Sequence, residues 1–191
     1  MRVISPELPA GRFDRLRRAL RPGGSAGAVH PDARDLELLL APVLDDGYVL
    51  VVSPRLPGVD HDLRAMLVGP AGVRAMLVRR WHGQFRQRGR AWEFNARGRR
   101  GWIPTRTDPT HDARRVADQV GRWMDAALGT RVAVEGVIAF PDRTSQIQLM
   151  DDPLTEVVTV HNAQAWARDL ATVRQLDGRA AGRLLEAVLS A

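Results

Sequence analysis

The sequence predicts an α/β domain: a central mixed β-sheet flanked by helices, with elements in the order αβββαβ. Three observations carry this. Two short apolar runs flank the turn signal Gly69-Pro70-Ala71-Gly72, which reads as a buried hairpin. Asp108-Pro109 opens a long amphipathic pattern that stops at Gly129. Val132 to Phe140 is then almost continuously apolar, as in a strand covered on both faces.

The elements follow in order. Residues 1 to 31 read as an N-terminal arm, with a short helical turn over Phe13 to Leu20 and a flexible linker over residues 21 to 28. The domain then occupies residues 32 to 191. Asp32 to Leu44 places Leu36, Leu39, Leu40, Val43 and Leu44 at helical spacing. Asp45-Asp46-Gly47 is a turn and Tyr48 to Ser53 a strand. The hairpin of Val59 to Gly83 supplies the next two strands, with Asp60 and Asp62 at its mouth and Arg79, Arg80, Trp81 and His82 at its end. Gln84 to Asn95 continues the sheet as an edge ribbon, and Gly98 to Trp102 is a tight basic loop. The helix from Pro109 turns Ala113, Val116, Ala117, Val120, Trp123, Met124, Ala127 and Leu128 to one side. A strand over Arg131 to Phe140 and another over Glu156 to Val160 precede two C-terminal helices. The first is capped by Asn162 and carries Trp166 and Leu170; the second runs from Asp177 to Leu189.

Composition narrows the function classes. The chain has 191 residues, no Cys and a formal charge of +6. Disulfides and thiolate metal sites are excluded. No run approaches the roughly 20 apolar residues of a membrane span, and the start lacks the apolar core of a signal peptide, so a cytoplasmic setting without membrane partners is expected. All 28 basic residues are Arg. Arg74 to Arg115 holds twelve of them against Glu93, Asp108 and Asp112, whereas the rest of the chain is net acidic. A basic stripe of this kind is the electrostatic footprint of a nucleic-acid binder. Aromatic rings interleaved with Arg suit single-strand contact.

The hairpin resembles the nuclease-related (NERD) domain, a family of the PD-(D/E)xK, restriction-endonuclease-like group. The matching residues are Asp60-His61, the turn Gly69-Pro70-Ala71-Gly72-Val73 and Trp81-His82-Gly83. Asp108-Pro109-Thr110-His111-Asp112-Ala113 is similar to the family's Asn-Pro-x-x-Gln-Ala helix start. The resemblance covers about Pro31 to Gln164 and implies a restriction-endonuclease-like core. In the family, two carboxylates hold a divalent cation that activates water, and a Lys polarises the nucleophile. Here Leu77 stands at the Glu position and Arg79 at the Lys position. Leucine offers no ligand oxygen, and arginine binds phosphate but does not shuttle protons.

The resemblance therefore implies a degenerate nuclease, with Asp60 as a remnant of the catalytic site. Nucleic acid, DNA rather than RNA, is the expected partner, contacted by Arg79, Arg80, Trp81, Arg86, Arg88, Arg99 and Arg100. No cofactor is expected. Mg²⁺ or Mn²⁺ enters only if carboxylates have migrated, with Asp60, Glu37 and Asp112 as the candidate ligands. Asp112 is either such a replacement or a favourable charge in a helical first turn. His61, His82 and His111 form no closed metal motif. Two alternatives stay open: a protein-interaction or homodimerisation module, and a metal-dependent nuclease with a rebuilt site.

Overall fold

A computed structural model of the chain describes residues 1–4, 31–96 and 101–191. Among these, β1 (Arg2–Ile4), α1 (Pro31–Leu40), β2 (Val49–Val52), β3 (Ala65–Gly69), β4 (Gly72–Val78), β5 (Gly83–Arg88), β6 (Ala91–Asn95) and β7 (Trp102–Pro104) precede α2 (Pro109–Leu128). There follow β8 (Val134–Phe140), β9 (Ser145–Leu149), β10 (Glu156–Thr159), α3 (Ala163–Thr172) and α4 (Gly178–Ser190). A six-stranded mixed sheet has the order β1-β2-β3-β4-β8-β10, and a four-stranded sheet has the order β7-β6-β5-β9. The α/β class with a central mixed sheet between helices is thus what the protein adopts.

Period-2 alternation sorts the central strands onto two apolar layers. Val51, Met66, Val68, Val73, Ala75, Leu77, Ile138 and Phe140 face one side. There they meet Ala113, Val116, Val120 and Met124 of α2 and Leu184 and Val188 of α4. Leu50, Val52, Ala65, Leu67, Met76, Val137 and Ala139 face the other, under Leu36 and Leu40 of α1 and Ala163, Ala167 and Leu170 of α3. Helices on both faces explain why these strands read as unbroken apolar runs. Each fully buried aliphatic side chain contributes about 1.5–3 kcal/mol.

Two local devices set the position of α2. Asp108 is its N-cap and accepts from the N–H groups of Thr110 and His111, with Pro109 in the first turn and Gly129 closing the helix at φ 66°. Gly136 of β8 lies directly beneath it. A Cβ there would sit 2.5 Å from the carbonyl oxygen of Ala113, so glycine is what lets the helix approach the sheet. The first turns of α2 are thereby brought against the C-terminal end of β4.

The structure corrects several expectations. Arg2–Ile4, read as part of an arm, is an edge strand paired in parallel with β2. The first helix stops at Leu40 and continues only as turns. Gln84 to Asn95 does not extend the central sheet. Its strands join β7 and β9 in a sheet of their own, after Gly83 redirects the chain at φ 108°. Trp102 lies in β7 rather than in a loop, and β9 is a strand that the sequence reading did not contain. The helical turn at Phe13, the linker over residues 21 to 28, Arg99 and Arg100 lie outside the described residues.

Candidate functional site

Three carboxylates and two guanidiniums meet where β4 ends against α2. Asp60 and Asp62 arrive from the loop before β3, Arg79 follows β4 directly, and Asp112 and Arg115 project from the first turns of α2. Arg115 Nη1 lies 2.5 Å from Asp60 Oδ2, and its Nη2 reaches Asp62 at 3.5 Å and Asp112 at 3.6 Å. Arg79 Nη2 donates to Asp112 Oδ2 at 2.9 Å, and its Nη1 faces Asp62 at 3.8 Å. The backbone shapes the loop as well. The Asp60 N–H donates to Gln119 Oε1 at 3.0 Å, and the Asp62 N–H to Asp60 Oδ1 at 3.1 Å. Sequence reasoning missed Arg115 and Gln119. Their signal was the i, i+3, i+7 spacing from Asp112, which lines three polar side chains along one side of α2.

The electrostatics follow from this geometry. The Asp62 N–H and then the Arg115 guanidinium hold the Asp60 carboxyl below its ordinary value, and Asp60 in turn holds Arg115 more firmly protonated. A carboxylate with a lowered folded-state pKa stabilises the fold at neutral pH, and that contribution fades as pH falls through the folded value. Asp60→Asn is therefore expected to lower stability near pH 7, with the gap to wild type closing under acid. The Asp60 side chain is 38% exposed, so the difference should be no more than about 1 kcal/mol. Denaturant midpoints measured from pH 7 to pH 2 check this. A gap that persists at the lowest pH would show that the charge is not its source.

The site does not suit the divalent cation that the NERD resemblance implies. The carboxylates that would be its ligands already carry Arg79 and Arg115. Leu77, where the resemblance would place a Glu, is fully buried in the layer under α2. Glu37 is exposed on α1, whose apolar residues pack on the opposite face of the sheet from α2. Among the described residues, no three His, Asp or Glu side chains are grouped to hold a metal ion. His61 is exposed and adds a minor electrostatic influence on Asp60, whereas His82 Nδ1 lies 2.8 Å from Thr144 Oγ1 and 3.2 Å from Asp142 Oδ2.

The other predicted contact residues are dispersed. Arg80 points towards α1 and pairs with Asp32 and Asp35, both at 2.7 Å, so Arg79 and Arg80 serve opposite faces of the sheet. Trp81 is half-buried between the two sheets, 4.5 Å from the Phe85 ring and 5.4 Å from that of Phe140. Arg86 pairs with Glu93 at 2.5 Å and lies over the Trp102 ring, while Arg88 is exposed.

Next to the carboxylate cluster, an open groove of about 470 Å³ runs along α2. Its walls include Arg90 from the β5–β6 turn, Arg114, Arg115 and Arg122 from α2, and Leu154. Asp108 and Asp118 also line it, leaving a positive excess, and His111 stands at its edge. Arg90, Arg114 and Arg122 are exposed and pair with no other described residue. Arg115 belongs to both places: one guanidinium faces the groove and holds Asp60. Of the groove's basic residues, none had been singled out as a contact residue, because only the fold brings the β5–β6 turn over α2.

Comparison with known proteins adds no relative: no family model, no curated protein and no solved structure matches the chain.

Proposed function

We propose that this protein is a NERD-like, restriction-endonuclease-like domain that binds nucleic acid in a cytoplasmic setting without cleaving it. The observation that carries the reading is Arg115, which closes the carboxylate cluster on one side and lines an arginine groove on the other. In a metal-dependent phosphodiesterase, Asp60, Asp62 and Asp112 would be free to take a cation. Here two permanently protonated guanidiniums neutralise them, and the position that should supply a further carboxylate is the buried Leu77. Arg90, Arg114 and Arg122, exposed and unpaired among the described residues, provide the positive charge that phosphate contacts need, and Arg suits phosphate because its planar fork donates in pairs.

One gel tests both halves of the proposal. Labelled single- and double-stranded DNA is incubated with the protein in Mg²⁺ or Mn²⁺, and in parallel with chelator. The expected result is DNA of unchanged length in every lane, with a retarded band that disappears at high salt. Metal-dependent shortening that Asp60→Ala abolishes would overturn the non-cleaving reading. Absence of any retarded band at low salt would overturn the binding reading.

A further inference from the structure

The second sheet carries a polar face that the groove does not explain. Gln84 and Gln146 are register partners across β5 and β9, and Asn95 and Trp102 across β6 and β7. Asn95 Nδ2 donates to Gln84 Oε1 at 2.8 Å, and Gln84 Nε2 to Gln146 Oε1 at 3.2 Å, so three amides form a ladder across the sheet. The next row holds Arg86 opposite Glu93. Arg86 lies over the Trp102 ring with its guanidinium carbon 4.5 Å from the centroid, and Glu93 grips its Nε at 2.5 Å. Among the described residues, the side-chain hydrogen bonds and ion pairs of these six run within the set. Gln84, Asn95 and Gln146 are exposed, whereas the alternate residues Gln87 and Trp92 are buried on the inner face.

From this arrangement we infer that the outer face of the second sheet binds single-stranded nucleic acid, with one base stacked on the Arg86–Trp102 pair. The inference rests on the nucleic-acid reading above and names the form of the ligand. An indole with a guanidinium laid over it presents a planar surface to a third planar group, and unpaired bases stack on rings and guanidinium planes alike. The amide ladder leaves Asn95 Oδ1 without a partner at one end and Gln146 Nε2 without one at the other, among the described residues. These two ends lie two strand spacings apart, about 9–10 Å, so the free acceptor and the free donor each face a different base of an unpaired strand. Duplex bases hide those edges and faces from a flat sheet. Charge agrees: Arg86 and the exposed Arg88 outweigh Glu93 on this face, and the same β5–β6 hairpin delivers Arg90 to the groove.

The test compares a fluorescein-labelled oligothymidylate with a duplex of equal length by anisotropy, using the full chain. Trp102→Ala should weaken single-strand binding roughly 5- to 150-fold, the range set by about 1–3 kcal/mol per stacked base. Duplex binding should be unchanged, and Trp102→Phe, which keeps a ring in the edge strand, should recover most of the loss. Equal single-strand affinity in wild type and Trp102→Ala would overturn the inference and leave the groove untouched. So would parallel losses for single strand and duplex in both Trp102 variants, since a damaged fold would produce that. Failure of the wild-type protein to bind either oligonucleotide would overturn the groove reading together with this one.

Discussion

Replacing Arg90, Arg114 and Arg122 together by alanine is expected to weaken duplex binding by about two orders of magnitude near physiological salt. All three line the groove, and none is engaged in an ion pair with another described residue. Their removal therefore leaves no buried partner behind and should change stability by less than about 0.5 kcal/mol. If each contacts one phosphate, the plot of log affinity against log salt should also become shallower by nearly 3, about 0.9 per lost contact. The diagnostic measurement is that slope, from titrations at four or five salt concentrations. A variant with the wild-type slope would place the phosphate contacts elsewhere. Arg115 is left out of the triple variant on purpose, because Asp60 depends on it.

Leu77→Glu, which introduces the residue that the NERD resemblance would place there, should destabilise the protein by about 3–5 kcal/mol at pH 8. Leu77 is fully buried between Ala75, Ile138 and the apolar side of α2, where a carboxylate finds water only by opening the core. Burial raises the pKa of such a group above its unfolded value of about 4.3. The folded state then holds the extra proton, so stability falls as pH rises from the unfolded to the folded pKa and is level beyond it. Leu77→Gln supplies the control, since it loses the same packing without a titrating charge. Urea midpoints for both variants between pH 4 and pH 8 should diverge upwards in pH, the Glu variant losing more. If the two variants matched at pH 8, the new carboxylate would be paired with Arg79 at the same strand end. The non-cleaving reading would then need retesting with that variant.

Much of the fold was legible because its signals are local or periodic. The Asp108-Pro109 start and the Gly129 stop of α2 depend on neighbouring backbone groups alone, and they appear where the pattern placed them. The hairpin about Pro70-Ala71 follows from two apolar runs and a turn. Of the two missed strands, β7 has only three residues and ends in Pro, and β9 is short and mixed in polarity; tertiary pairing makes them strands, not their own composition. β1 belongs with them: three residues gain strand form only by docking beside β2.

The candidate site divides in the same way. Asp60, Leu77, Arg79 and Asp112 were visible through the spacing of the hairpin and the helix start, and the fold brings Asp60, Arg79 and Asp112 together. Charge density along the chain located a basic segment but not its direction. Arg79 turns to α2 and Arg80 to α1, because successive residues of an extended chain face opposite sides.

By itself, then, the sequence determined the apolar strands of the central sheet, the principal helix and the apolar character of residue 77. These are properties of one residue or of one regular period. Which of the described arginines pair with internal carboxylates and which stay exposed was decided only by the tertiary structure. Ion pairing depends on distance in space, and the partners here lie up to 82 residues apart in the chain, as Arg74 and Glu156 do.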